Sequence, residues 1–126
     1  MGTRIAAVAL AAVVAALVGC GGSSGSSGAG QPAGSYKVIM TEFKFNPSAI
    51  TVKPGTTTFF LVNQGTVAHD MVIETQSGQR VAGSDLVQAG NETTFTASNL
   101  AAGSYLIVCT QPGHEAAGMK GTLSVG

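Results

Sequence analysis

The chain has 126 residues, with six Lys and Arg against six Asp and Glu and a formal net charge of zero at pH 7. This length allows one domain. No basic stripe suggests a nucleic-acid partner, and no acidic block suggests long-range steering of a basic partner, so we expect no binding of nucleic acid.

The first residues have the pattern of a targeting segment. Arg4 and the amino terminus form a short positive region, and residues 5–18 are an uninterrupted apolar run, too short for a membrane-spanning helix of about 20 residues. The tetrapeptide Leu-Val-Gly-Cys that ends at Cys20 resembles a bacterial lipobox. We therefore expect a signal peptide over residues 1–19 and a lipid on Cys20. An ordinary secretory signal, or an uncleaved anchor with an incidental cysteine, is the alternative.

The next segment, residues 20–35, begins with this cysteine and continues with Gly, Ser and almost no apolar bulk. Such a segment cannot bury enough surface to offset its ordering entropy, so we predict a flexible tether. The remaining residues 36–126 are sufficient for one small hydrophobic core. We expect this domain to be held extracytoplasmically at the cell membrane by the lipid.

The domain contains short β-branched and aromatic runs separated by turn residues, without a helical period. About seven or eight strands at this spacing indicate an all-β fold, a β-sandwich. An immunoglobulin-like adhesion module has the same composition, so composition alone does not separate the two. We predict strands over residues 36–42, 49–52, 56–63, 67–74, 92–97, 103–109 and 120–125, and a polar segment over 75–91 with a short strand or turn near Val81 or Leu86–Val87.

Metal-binding side chains are concentrated in Cys109-Thr-Gln-Pro-Gly-His114-Glu-Ala-Ala-Gly-Met119, where a thiol, an imidazole and a thioether stand five residues apart. The only other histidine is His69. Two His and one Cys in a trigonal plane, with a weak axial Met, are the ligands of a mononuclear blue-copper site. Cys109 is unpaired once Cys20 is set aside, and an unpaired thiol outside the cytoplasm is at risk of oxidation unless a metal occupies it. We predict one copper ion bound by these four residues.

Zinc is the competing metal, because one Cys and two His with a fourth ligand also satisfy tetrahedral Zn²⁺. Zinc rarely uses a thioether, however, and would leave Met119 unexplained. Taken singly, a buried Cys, a Met or a His is more often packing or scaffold than a ligand. We assign Met40 and Met71 to packing or to the surface.

The stretch Ser104-Tyr-Leu-Ile-Val-Cys-Thr-Gln-Pro-Gly-His-Glu-Ala-Ala-Gly-Met-Lys-Gly-Thr-Leu-Ser-Val125 resembles the copper loop and last strand of the cupredoxins. Residues 45–55 and 62–69 resemble early strands of the same family. The resemblance implies a Greek-key β-sandwich that holds type 1 copper and transfers single electrons. The Cys-x4-His-x4-Met spacing is closer to auracyanin, rusticyanin and sulfocyanin than to plastocyanin. Asp70 stands where many members have Asn, a residue that commonly helps to pin the copper loop.

Four protein ligands leave no open position for a substrate, so we expect neither an enzyme nor a small-molecule substrate. The expected function is electron transfer between redox proteins in or near the membrane. The small residues that flank His114 would form the electron-transfer patch, although they also simply allow a tight loop: Pro112, Gly113, Ala116 and Ala117. A copper carrier or buffer that delivers copper to an oxidase is the alternative function, and a structural sandwich with incidental Cys and His is a third.

Overall fold

The computed structural model describes residues 30–126. The predicted signal peptide, Cys20 and most of the predicted tether lie outside the described residues. Within residues 30–126, no helix is long and apolar enough to cross a membrane. The strands are β1 (Tyr36–Thr41), β2 (Lys44–Asn46), β3 (Ala49–Val52), β4 (Gly55–Asn63), β5 (Val72–Glu74), β6 (Arg80–Gly83), β7 (Glu92–Leu100), β8 (Gly103–Val108) and β9 (Lys120–Val125).

These strands form two sheets, one of four strands in the order β2-β1-β4-β7 and one of five in the order β3-β9-β8-β5-β6. Strand β1 runs parallel to β4 and β3 runs parallel to β9, whereas the other pairs are antiparallel. The predicted all-β sandwich is confirmed. The described part of the chain has nine strands instead of seven or eight. The short strand expected near Val81 is present as β6, and the strand that the prediction lacks is β2.

The core lies between the sheets and follows from the alternation of side chains along the strands. In β4, for example, Phe59 and Leu61 are fully buried on one face. Burial of each such side chain contributes about 1.5–3 kcal/mol. Met40 and Met71 are also fully buried, which confirms their assignment to packing. The core cluster consists of Val38, Met40, Phe45, Ile50, Val52, Phe59, Leu61, Met71, Ile73, Val87, Ala97, Leu100, Ile107, Cys109, Met119, Leu123 and Val125.

Five predicted strands have different bounds in the structure, and the differences at β1 and β5 bear on the predicted ligand His69. Strand β1 stops at Thr41, because Thr41 pairs with Lys44 and the two residues between them form the tip of a hairpin. The predicted strand over 67–74 is wrong in its first half: β5 begins only at Val72, and His69 makes an isolated bridge with Val87. The backbone around His69 is therefore held by one loop contact and not by a ladder of pairs.

The pairing of β8 with β9 places two predicted ligands at one end of the sandwich. Val108 pairs with Lys120 at the end of the ladder. Cys109 directly follows β8 and Met119 directly precedes β9. The N–H of Cys109 donates to the carbonyl of Met119 at 3.1 Å. The metal-binding loop thus starts and ends at a closed β-ladder.

Candidate metal centre

The loop between Cys109 and Met119 is held by its own backbone. The N–H of Met119 donates to the carbonyl of His114 at 3.0 Å, and the N–H of His114 donates to the carbonyl of Gln111 at 3.0 Å. Gly113 has a φ of 80°, in the left-handed region that glycine enters without a steric cost. The turn at Gly113 directs the next residue, His114, back toward Cys109.

His69 is fixed from the opposite side by a different set of contacts. Its backbone exchanges two hydrogen bonds with Val87, of 3.0 Å and 2.8 Å. Asn63, which is 1% exposed, donates through Nδ2 to the carbonyls of Val67 and Val87, both at 2.8 Å. The side chain of His69 is completely buried. One buried amide thus joins the two chain segments that hold this histidine.

The three strongest ligand candidates meet at one point. Nδ1 of His69 lies 3.2 Å from Nδ1 of His114, and Sγ of Cys109 lies 3.4 Å from Nδ1 of His114 and 3.9 Å from Nδ1 of His69. The point equidistant from these atoms is about 2 Å from each, the length of a metal–imidazole bond and slightly short for a metal–thiolate bond. The structure therefore brings together the trigonal set that the sequence predicts.

The donors fit copper better than a hard cation. The site offers two imidazole nitrogens and a thiolate. Met119, at the end of the same loop, is fully buried and adds a thioether. Copper prefers such a set of soft donors. His69, Cys109, His114 and Met119 are positioned as a type 1 copper site.

Burial raises the pKa of the Cys109 thiol, and the neighbouring Asp70 carboxylate adds to the increase by charge repulsion. A thiol with a raised pKa is poorly reactive, since the thiolate is both the nucleophile and the metal ligand. A bound cation reverses this preference because it stabilises the thiolate directly. Cys109 is also the free cysteine among residues 30–126.

Asp70 performs the loop-pinning role that Asn has in many cupredoxins. Its Oδ1 accepts a hydrogen bond from the N–H of Thr110 at 2.6 Å, and its Oδ2 accepts one from the Thr110 hydroxyl. Both contacts need an acceptor, which a carboxylate supplies. Asp70, which follows His69, therefore holds Thr110, which follows Cys109.

Sequence reasoning missed two residues at the hairpin tip between β1 and β2. Oε1 of Glu42 lies 3.0 Å from Nε2 of His69, and the ring of Phe43 lies 4.9 Å from the ring of His114 in an edge-on arrangement. A hydrogen bond from the Thr66 N–H lowers the pKa of Glu42, outweighing the opposing effect of desolvation. No motif spacing relates these residues to the ligands, because the hairpin reaches the site only through the fold.

The residues predicted to form the electron-transfer patch lie at the surface. Pro112, Gly113, Ala116 and Ala117 are all exposed, and His114 between them is only partly buried. Phe43, which is 40% exposed, adds an apolar ring beside the same histidine. His114 is thus the ligand through which this end of the molecule meets solvent.

Residues 33–126 match the copper-binding proteins of the plastocyanin/azurin family, and the chain belongs to that family. Membership agrees with the donor set, so the metal is copper and the zinc alternative is rejected.

Auracyanins are similar to this chain in sequence and in structure. It is 50% identical to auracyanin-B of Chloroflexus aurantiacus over 40 residues, which are 32% of this chain and 17% of that protein. It is similar in structure to the reduced auracyanin of Roseiflexus castenholzii, with a TM-score of 0.67, 22% identity and coverage of 76% of this chain and 99% of that one. A structure of auracyanin B gives a TM-score of 0.66 at 25% identity, covering 77% of this chain and 91% of that chain.

Proposed function

We propose that the protein is an electron carrier and not an enzyme. When bound, copper supplies a one-electron couple between Cu(II) and Cu(I). The observation that carries the proposal is the unequal setting of the two histidine ligands: His69 is completely buried and bound to the scaffold, whereas His114 is partly exposed. A carrier needs both a rigid ligand set and one ligand edge within reach of a partner.

The closeness of the donors supports this function over catalysis. His69, Cys109 and His114 approach one another within 4 Å, and Met119 is buried in the same loop. Catalytic metal sites generally keep a position open for water or substrate. With Met119 as the fourth ligand, no coordination position would stay open, so the chain would suit a metal whose charge changes while its ligands stay in place.

The surface around His114 suits a brief encounter with a redox protein. The exposed residues Pro112, Gly113, Ala116 and Ala117 carry no charge that would have to be desolvated on contact, and Glu115 is the one charged residue within 112–118. Weak redox complexes use small interfaces. We propose extracytoplasmic redox proteins in or near the membrane as the partners, docked over this patch.

A lipid on Cys20 would hold the domain near such partners. This part of the proposal depends on the lipobox-like sequence and on the Gly- and Ser-rich residues that follow it. Mass spectrometry of the mature protein should find a lipid-modified Cys20 at the new amino terminus. Cys20→Ala should release the protein from membranes and leave the visible absorption of the copper-loaded protein unchanged. An unmodified amino terminus at another residue would contradict the anchor.

The electron-transfer function is tested by measuring two rates on one preparation. With preorganised ligands, electron self-exchange should be fast and copper release slow. A Cys109 thiolate bound to Cu(II) should give an intense charge-transfer absorption. As a control, Cys109→Ser should abolish this absorption, because the thiolate is lost. A copper carrier would behave in the opposite way: it would pass copper to a metal-free acceptor protein within the time of mixing and would exchange electrons slowly. That result would contradict the proposed electron-transfer function and favour copper delivery.

A further inference from the structure

The ligand set does not account for Glu42, which is the residue at the β1–β2 hairpin tip that faces His69. One oxygen of its carboxylate, Oε1, lies 2.8 Å from the N–H of Thr66, 3.2 Å from the N–H of Val67 and 3.0 Å from Nε2 of His69. The side chain of Glu42 is 29% exposed, whereas the side chain of His69, which this oxygen contacts, is fully buried. Three donors on one oxygen hold the carboxylate in place.

The chemistry of the contact determines where the proton of the His69 ring lies. An ionised carboxylate only accepts hydrogen bonds, so Nε2 of His69 must carry the proton and donate it to Glu42. The other nitrogen, Nδ1, is then unprotonated, and it is the one that faces Sγ of Cys109 and Nδ1 of His114. The contact with Glu42 therefore leaves a lone pair pointing to the metal position.

Gly65 gives independent support, since a side chain there would compete with the Glu42 carboxylate for the same space. A Cβ at Gly65 would overlap the Glu42 carboxylate and would lie 3.0 Å from Nε2 of His69. Gly65 is not among the glycines with positive φ in residues 30–126, so backbone conformation does not require glycine there. A larger residue at this position would have to displace the Glu42 carboxylate from its contact with His69.

We propose that Glu42 is a positioning residue for the copper site: it sets the tautomer of His69 and lowers the reduction potential. This inference deepens the proposed electron-transfer function and rests on it. A carboxylate bound to the outer nitrogen of a ligand histidine fixes the ring and increases its basicity. Its negative charge also favours Cu(II) over Cu(I), because the interaction with a dication exceeds that with a monocation.

The first test measures the reduction potential of the copper-loaded full chain at an electrode. Glu42→Gln keeps an acceptor of the same shape and removes the charge. We expect the ratio of Cu(II) to Cu(I) affinity to fall about tenfold, which raises the potential by about 59 mV for a one-electron couple. Glu115→Gln is the matched control, since it removes an exposed carboxylate next to the other ligand histidine. An equal shift in both variants, or a fall in Glu42→Gln, would overturn the proposal.

The second test needs no metal. Nitrogen NMR of the metal-free full chain should show His69 protonated at Nε2 in the natural protein and in Glu42→Gln. Glu42→Ala removes the acceptor, and Gly65→Ala displaces the carboxylate while keeping its charge, so both should give a mixture of tautomers. An unchanged tautomer in both variants would overturn the positioning role.

These two measurements separate this inference from the proposed function. Neither needs a partner protein or an electron-exchange rate. Slow self-exchange with the expected potential shift and tautomer would contradict electron transfer and leave Glu42 as a positioning residue. Fast self-exchange with neither effect would keep the carrier and remove this role from Glu42.

Discussion

The two histidine ligands differ in how the fold holds them. His69 is completely buried, its backbone is bonded to Val87 and its ring is bonded to Glu42. His114 is partly exposed in a loop that depends on its own hydrogen bonds, and its ring is flanked by Phe43. The comparison shows two sides of the metal site: the scaffold side, where His69 is buried and held by the fold, and the surface side, where His114 reaches solvent.

The largest effect should come from removing each imidazole in turn. His69→Gly and His114→Gly should both lose the blue colour, because each removes one of the two imidazoles that would hold copper. Added imidazole should restore it in His114→Gly at concentrations at least tenfold lower than in His69→Gly, since only the first vacancy opens to solvent. Absorbance titration measures this difference, and equal restoration in the two variants would show that the ligands are equally accessible.

Asn63→Ala should be the next largest change, and it acts on the scaffold side alone. The buried amide bonds the carbonyls of Val67 and Val87, and its Oδ1 accepts the Gly65 N–H at 2.9 Å. Losing these contacts should lower the free energy of unfolding by about 2–4 kcal/mol. Denaturant unfolding of the metal-free protein measures it. The exposed Asn91 is the control, and Asn91→Ala should cost less than about 0.5 kcal/mol.

Ala117→Glu tests the surface side. A charge placed on the patch beside His114 should slow electron exchange with a redox partner about tenfold, which corresponds to ~1.4 kcal/mol, and leave the absorption spectrum unchanged. Ala102→Glu adds the same charge before β8, at the far end of the sandwich. Stopped-flow rates for the two variants separate docking from net charge, and equal slowing would remove the patch from the electron path.

Phe43→Leu should give the smallest effect. The edge-on contact of Phe43 with His114 is worth about 0.5–1.5 kcal/mol, so its loss should speed amide exchange in residues 113–118 by roughly fivefold. Tyr36→Leu removes another partly exposed aromatic ring, which packs on Phe59 in the core. Hydrogen exchange in the loop should not respond to this control. A similar response would mean that Phe43 acts only through global stability.

The surface side of the site could be predicted from the sequence, and the scaffold side could not. Cys109, His114 and Met119 lie in one loop, so their spacing alone indicates the ligand set. His69 was identified by elimination, as the only other histidine. The contacts that hold it come from three separate segments, at Glu42, Asn63 and Val87, and no periodicity relates segments that meet only in the folded state.

The same limit applies to the fold. Alternation of side chains predicted the sandwich and placed β3 and β9 at their observed bounds. It placed His69 in a strand, because Val67 to Glu74 is mostly apolar. The structure ends regular pairing there: His69 bonds Val87, and Asp70 turns its carboxylate to Thr110. A local pattern does not show when a side chain has a better partner elsewhere.

The parallel pairing of β3 with β9 has a consequence for how the chain folds. Ala49 is aligned with Thr122, so about 70 residues must form a closed loop before this pair exists. Closing such a loop costs roughly 4 kcal/mol of chain entropy. Topologies dominated by distant pairs fold in milliseconds to seconds. Because Met119 directly precedes β9, the copper ligands should come together late in folding, when most of the sandwich is already in place.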